Sequence, residues 1–153
     1  ILEQGAGLFS AAGIDATVMA SLEQARWQKL VWNVPYNGLS VVLNAGTRAL
    51  MADADSRALI RAIMQEVIAA AAACGHALPP AYADKLLATT DRMPDYWPSM
   101  YHDAVLRRPL ELPAMYAAPL AAAALVGCPV PRIEALHQAL RFIDNRNQRL
   151  EVL

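Results

Sequence analysis

Lys29, Asn33 and Asn37 recur at every fourth position of Trp27-Gln-Lys-Leu-Val-Trp-Asn-Val-Pro-Tyr-Asn37. On a helix, residues at i, i+4 and i+8 stand roughly above one another. One stripe then carries an ammonium and two carboxamides through a segment otherwise made of Leu30, Val31, Trp32, Val34, Leu39, Val41 and Val42. A buried polar group left unpaired costs roughly 1–3 kcal/mol, so the stripe needs partners inside the protein or in a bound polar molecule. A small polar molecule held along the stripe is one such partner, which makes the stripe a candidate binding site. A distorted core helix explains the same stripe if its amides are satisfied internally.

A second constellation is Ser99-Met-Tyr-His-Asp103 followed by Arg107-Arg-Pro-Leu-Glu111. Ser99 follows Pro98 at an expected helix start, where a hydroxyl caps free amides and where those amides can also hold a carboxylate. Glu111 precedes Pro113, close to another expected helix start, where negative charge is stabilised. Glu66 reads as a surface or paired carboxylate. His76, His102 and His137 share no ligand spacing, and Cys74 and Cys128 form neither a metal-type cluster nor a disulfide framework, so no metal site is expected. Buried free thiols fit a reducing cytoplasm.

The elements that must position these groups are mainly helical. A short helix is expected over Ile1–Ala12, stopped by Gly13 and followed by an extended piece at Ile14–Val18. Gly5-Ala-Gly7 has only four residues before it, too few for the strand that a dinucleotide-binding loop must follow. A long helix is expected from Ser21 toward Asn44, kinked or locally opened by Pro35. Asp53, Asp55 and Ser56 offer caps for a helix whose apolar face is Leu59, Ile60, Ile63, Met64, Val67 and Ile68, with Gly75 as its stop. Further helices are expected over Tyr82–Thr89, from Ser99 to Arg107, from Pro113 to Val126, and through Ile133, Leu136, Leu140 and Ile143. Trp27, Trp32 and Trp97 suit either the core or the rim of a pocket, with the core preferred.

The 153 residues suffice for one domain with a sizeable core. A net charge of −1, with both signs interleaved, lacks the basic stripe of a nucleic-acid binder. The two long charge-free windows, Leu30–Thr47 and Leu112–Pro131, are interrupted by asparagine, glycine and proline, so buried helices rather than membrane spans are expected. No signal peptide is evident, and the chain opens at Ile1 inside what reads as a helix, which suggests a fragment.

Taken together, these residues resemble the C-terminal domain of the ketopantoate reductase (2-dehydropantoate 2-reductase) family. The resemblance runs from about Gly13 to Asn145. It is carried by Trp27-Gln-Lys29 with Asn33 and Asn37; Glu66 and the alanine-rich run to Gly75; Ser99-Met100 with Asp103; Arg108-Pro109 with Glu111; and Gly127 with Pro131. It implies a multi-helix domain like that of the 6-phosphogluconate dehydrogenase-like reductases over residues 19–153, with residues 1–18 as the tail of a preceding Rossmann domain that holds NADPH. It further implies Lys29 as general acid, Asn33 and Asn37 as substrate-positioning amides, Ser99 as a carboxylate or hydroxyl contact, and Glu111 as the partner of a substrate hydroxyl. The implied partner is a small 2-oxo acid, with room for a homodimer formed through the helical domain. Without the Rossmann domain, this chain alone is expected to be inactive.

Several positions depart from the family pattern. Leu110, Leu112 and Pro113 stand where threonine, isoleucine and aspartate are usual around Glu111, and Ala117 lies near the usual glycine. Pro35 and Gly38 also differ from the commoner Asn-x-x-x-Asn-Pro arrangement. A hydroxyl and a carboxylate are thereby missing beside Glu111, which opens the question of which 2-oxo acid is used. A helical dimerisation or interaction domain that has lost reductase activity is the competing reading.

Overall fold

The computed structural model describes residues 11–12 and 21–150, leaving aside the side chain of Leu150. Apart from Ala11 and Ala12, the expected first helix, its Gly13 stop, the Gly5–Gly7 run and the piece Ile14–Val18 lie outside the described residues, as does the boundary proposed at residue 18.

Helix α1 (Leu22–Leu43) starts where the Ser21 hydroxyl accepts from the Gln24 N–H at 3.0 Å, and it ends where Asn44 turns left-handed with φ 51°. It runs unbroken through Pro35. Its character changes along its length. From Leu22 to Asn33 only Trp27 and Val31 are buried, whereas every residue from Val34 to Ser40 is buried. This second half is the axle of the domain. α1 packs along α3 (Ala54–Ala73) and also meets α2 (Thr47–Ala52), α5 (Ser99–Val105) and α7 (Pro131–Leu150). Val31, Val34, Tyr36, Ile60, Ile63, Met64, Val67, Leu87 and Leu140 form the centre of the core.

Local chemistry sets the ends of these helices. Asp53 caps α3 by accepting from the Ser56 N–H at 2.7 Å. α3 closes on Gly75, whose φ of +86° lets the His76 and Gly75 N–H groups reach the Ala71 and Ala72 carbonyls. α4 (Tyr82–Arg92) extends three residues beyond the expected Thr89. α5 stops at Val105, short of the expected Arg107. Arg107 instead adopts φ 56°, and the Arg108 N–H returns to the Asp103 carbonyl at 2.8 Å.

Two long-range clamps hold the helices in place. The carboxylate of Glu66, only 8% exposed, accepts from the Arg132 and Ile133 N–H groups at 3.0–3.1 Å and from the Arg132 guanidinium at 3.1 Å. Glu66 is therefore the paired carboxylate that stabilises the start of α7. The loop before α5 is tied to the start of α2. The Thr47 N–H donates to the Tyr96 carbonyl and the Arg48 N–H to Asp95 Oδ1, both at 2.9 Å.

The segment expected as one helix from Pro113 to Val126 begins as a π-helical turn (Pro113–Ala117) and continues as α6 (Ala118–Leu125). The Ala118 N–H donates to the Pro113 carbonyl, five residues back. Pro119 explains the wider turn: it has no N–H for the Met115 carbonyl four residues back, and its ring crowds that carbonyl. Widening the turn relieves the crowding, and such turns are frequent at functional sites.

Candidate active site

Two helical stripes face one another across a cleft of about 340 Å³. The α1 stripe consists of Glu23, Arg26, Trp27, Lys29, Leu30 and Asn33. Opposite lie Glu111, just before the π turn, and Ala114, Met115, Ala118, Pro119 and Ala122, at spacings of three and four residues along the π turn and α6. Both sets obey helical periodicity, so each presents a continuous face. The charged and amide groups come from α1 and Glu111, and the rest of the far wall is apolar.

Tyr116 pins the two sides together. It is fully buried, and its hydroxyl donates to the Val34 carbonyl at 2.7 Å. Burial pushes its phenol far above the usual tyrosine range, so it remains a neutral donor. Gly38 makes this approach possible, because a Cβ there would lie 2.4 Å from the Tyr116 hydroxyl and 2.6 Å from Leu136 Cδ2. The departure from the family pattern at Gly38 thus has a packing reason.

Lys29, Asn33 and Glu111 all line the cleft, with Lys29 and Glu111 exposed and Asn33 half-buried. Asn37 and Ser99 do not line it. Asn37 is 3% exposed, and both of its polar groups are engaged within the protein. Its Nδ2 donates to the Asn33 carbonyl at 3.1 Å, and its Oδ1 accepts from the Met100 N–H at 3.2 Å. Through Met100 it fastens the start of α5, where Ser99 is exposed. Leu110 and Leu112 are buried on either side of exposed Glu111, so these two departures act on the core and anchor the carboxylate from behind. The Leu110 N–H is held by Asp144 Oδ1 at 3.0 Å.

Arg26, Glu23 and the apolar wall were not singled out in the sequence. Arg26 carries a usable signal, since it lies three residues before Lys29. The wall carries one too, in the spacing of 111, 114, 115, 118, 119 and 122. Trp27 is in the core as expected yet also borders the cleft, while Trp32 and Trp97 are half-buried. Trp32 stacks on Tyr36 and donates to the Thr90 hydroxyl at 3.0 Å. Among the described residues, no group of three or more His, Cys, Asp or Glu side chains could hold a metal ion. Nor is any helix among them long and apolar enough to cross a membrane.

The described residues thus define an all-helical domain with one polar and one apolar wall around a small-molecule-sized cleft. Residues 21–144 match the family described as ketopantoate reductase PanE/ApbA C terminal. The chain belongs to that family and corresponds to its helical C-terminal domain. It is 44% identical over 140 residues to a 2-dehydropantoate 2-reductase of Nostoc sp., covering 92% of this chain and 44% of that protein. It also resembles the crystal structure of a 2-dehydropantoate 2-reductase from Geobacter metallireducens, with 42% identity and a TM-score of 0.85 over 92% of this chain and 47% of that one. A dimeric ketopantoate reductase from Staphylococcus aureus shares 25% identity, with a TM-score of 0.80 over 95% of this chain and 51% of that one. The chain spans about half the length of these relatives.

Proposed function

We propose that this chain is the substrate-binding part of an NADPH-dependent 2-oxo acid reductase, with 2-dehydropantoate as substrate and pantoate as product. The observation that carries this reading is the presence of Lys29, Asn33 and Glu111 on one cleft. Family membership and the names of the relatives support it.

The cleft suits a small acid better than a dinucleotide. Its volume is about 340 Å³, and its lining offers no glycine-rich backbone cradle of the kind that holds a pyrophosphate. The nucleotide is therefore assigned mainly to a Rossmann domain preceding residue 19 in the parent protein. When bound, the cofactor supplies a hydride to C2 of the substrate.

The remaining chemistry falls to this chain. As C2 is reduced, negative charge gathers on its oxygen. The Lys29 ammonium faces that oxygen, stabilises the charge and passes it a proton, leaving a hydroxyl and a neutral amine that solvent reprotonates. The Asn33 carboxamide orients the substrate without competing for that proton. Glu111, on the opposite wall, accepts a hydrogen bond from the substrate's distant hydroxyl. Asn37 acts a step further back, by holding the start of α5 and with it Ser99. The dimeric relative supports a homodimer as the assembly.

The test is an assay of the full-length protein with NADPH and a panel of 2-oxo acids. Ketopantoate-dependent NADPH oxidation is expected. Failure to reduce any member of the panel would overturn the reading.

A further inference from the structure

The cleft contains a second cation to which the steps above give no task. Arg26 lies one helical turn before Lys29 on the same face of α1 and lines the same cleft. Side chains at this spacing have Cβ atoms about 5–6 Å apart, so two such long cations can converge on one small ligand. Among the described residues, Arg26 forms no ion pair, unlike Arg57, Arg61, Arg108 and Arg132. Glu23, one turn earlier, also borders the cleft but is held elsewhere. Its own backbone N–H, and then the Ser21 hydroxyl at 3.3 Å, keep its carboxyl below the usual range; Arg26 contributes less. No carboxylate among the described residues therefore competes with an incoming anion for the guanidinium through an ion pair.

A 2-oxo acid carries its two electron-rich groups on adjacent carbons. One is the C2 carbonyl oxygen, which the proposed reaction gives to Lys29. The other is the C1 carboxylate, which must enter a cleft already bordered by Glu23 and Glu111 and so needs a positive partner. Ser99, which the family resemblance offers as a carboxylate contact, lies outside the lining. A guanidinium meets both oxygens of a carboxylate through parallel N–H groups, a geometry that an ammonium cannot reproduce. We propose that Arg26 is a specificity-determining residue that holds the C1 carboxylate of the substrate and thereby selects 2-oxo acids over neutral carbonyl compounds. This inference rests on the reductase reading.

The same guanidinium chemistry would also suit a phosphate of the nucleotide, so the experiment must separate the two anions. Steady-state kinetics of the full-length protein, its Arg26→Gln variant and its Arg26→Lys variant should be compared, varying ketopantoate and NADPH independently. With Arg26→Gln, KM for the 2-oxo acid should rise about 10–100-fold, as for loss of a charged hydrogen-bonding group, while KM for NADPH stays within about twofold. Arg26→Lys should recover part of the loss. The wild-type preference for the acid over its carboxamide should shrink by a similar factor in Arg26→Gln. Unchanged KM for the acid in an active Arg26→Gln enzyme overturns this inference alone, as does a rise confined to NADPH. If the unaltered protein reduces no 2-oxo acid, the reductase reading fails and the assignment of Arg26 falls with it.

Discussion

Asn33 and Asn37 are one helical turn apart on α1 and chemically identical, yet they sit in different environments. Asn33 borders the cleft with Lys29, whereas Asn37 spends both ends of its amide inside the protein, on the Asn33 carbonyl and the Met100 N–H. The difference follows from what packs against each half of the helix. Over the two turns after Asn33, every residue of α1 from Val34 to Ser40 is buried. Before Val34, one face remains open, and that face holds the charges. A single helix thus supplies both a wall of the cleft and the core that keeps it still.

This contrast predicts that substitutions in the first half alter turnover and those in the second alter stability. Lys29→Ala should have the largest effect, lowering kcat of the full-length enzyme by about 10²–10³-fold, as for loss of a positioned acid. Because Lys29 is exposed, unfolding free energy should change by no more than about 0.5 kcal/mol. Turnover that survives this substitution would remove Lys29 as the acid and leave the open half of α1 without a reactive group.

Asn37→Ala should show the opposite pattern. It strands the buried Met100 N–H and costs about 1–3 kcal/mol, readable as a lower melting temperature or denaturant midpoint. Any effect on kcat should follow from displacement of α5 and should be smaller than that of Lys29→Ala. A large rise in substrate KM with stability intact would instead put Asn37 on the substrate, and the division between the two halves would disappear.

Much of this arrangement was legible in the chain. Helix ends could be placed because they have local causes: Ser21 and Asp53 as caps, and Gly75 as a left-handed stop. The spacing of Lys29, Asn33 and Asn37 correctly marked one face of one helix. It could not show where that face passes from solvent into the core, because tertiary partners far away in sequence decide this. Tyr116 reaches the Val34 carbonyl across 82 positions, and the Met100 N–H reaches Asn37 across 63. Glu66 was ambiguous for the same reason, since its partners at Arg132 and Ile133 are 66 and 67 residues away. The π turn had a local cause in Pro119, but a proline is equally compatible with a kink or a helix end. Leu110 looked like the loss of a hydroxyl beside Glu111, and burial shows that its side chain belongs to the core behind that carboxylate.

The smallest effect is also the most discriminating. Asn33 gives its backbone carbonyl to Asn37, so Asn33→Ala leaves that hydrogen bond in place and removes only the side chain that borders the cleft. Stability should therefore change by less than about 0.5 kcal/mol. Loss of one neutral hydrogen bond to the substrate, worth about 0.5–1.5 kcal/mol, should raise KM for the 2-oxo acid by about 2–13-fold. Measured beside Asn37→Ala, it compares two identical truncations one turn apart, one read in kinetics and the other in unfolding. If Asn33→Ala destabilises the protein as much as Asn37→Ala does, the boundary of the core lies earlier in α1, and the site is narrowed to Lys29 and Glu111.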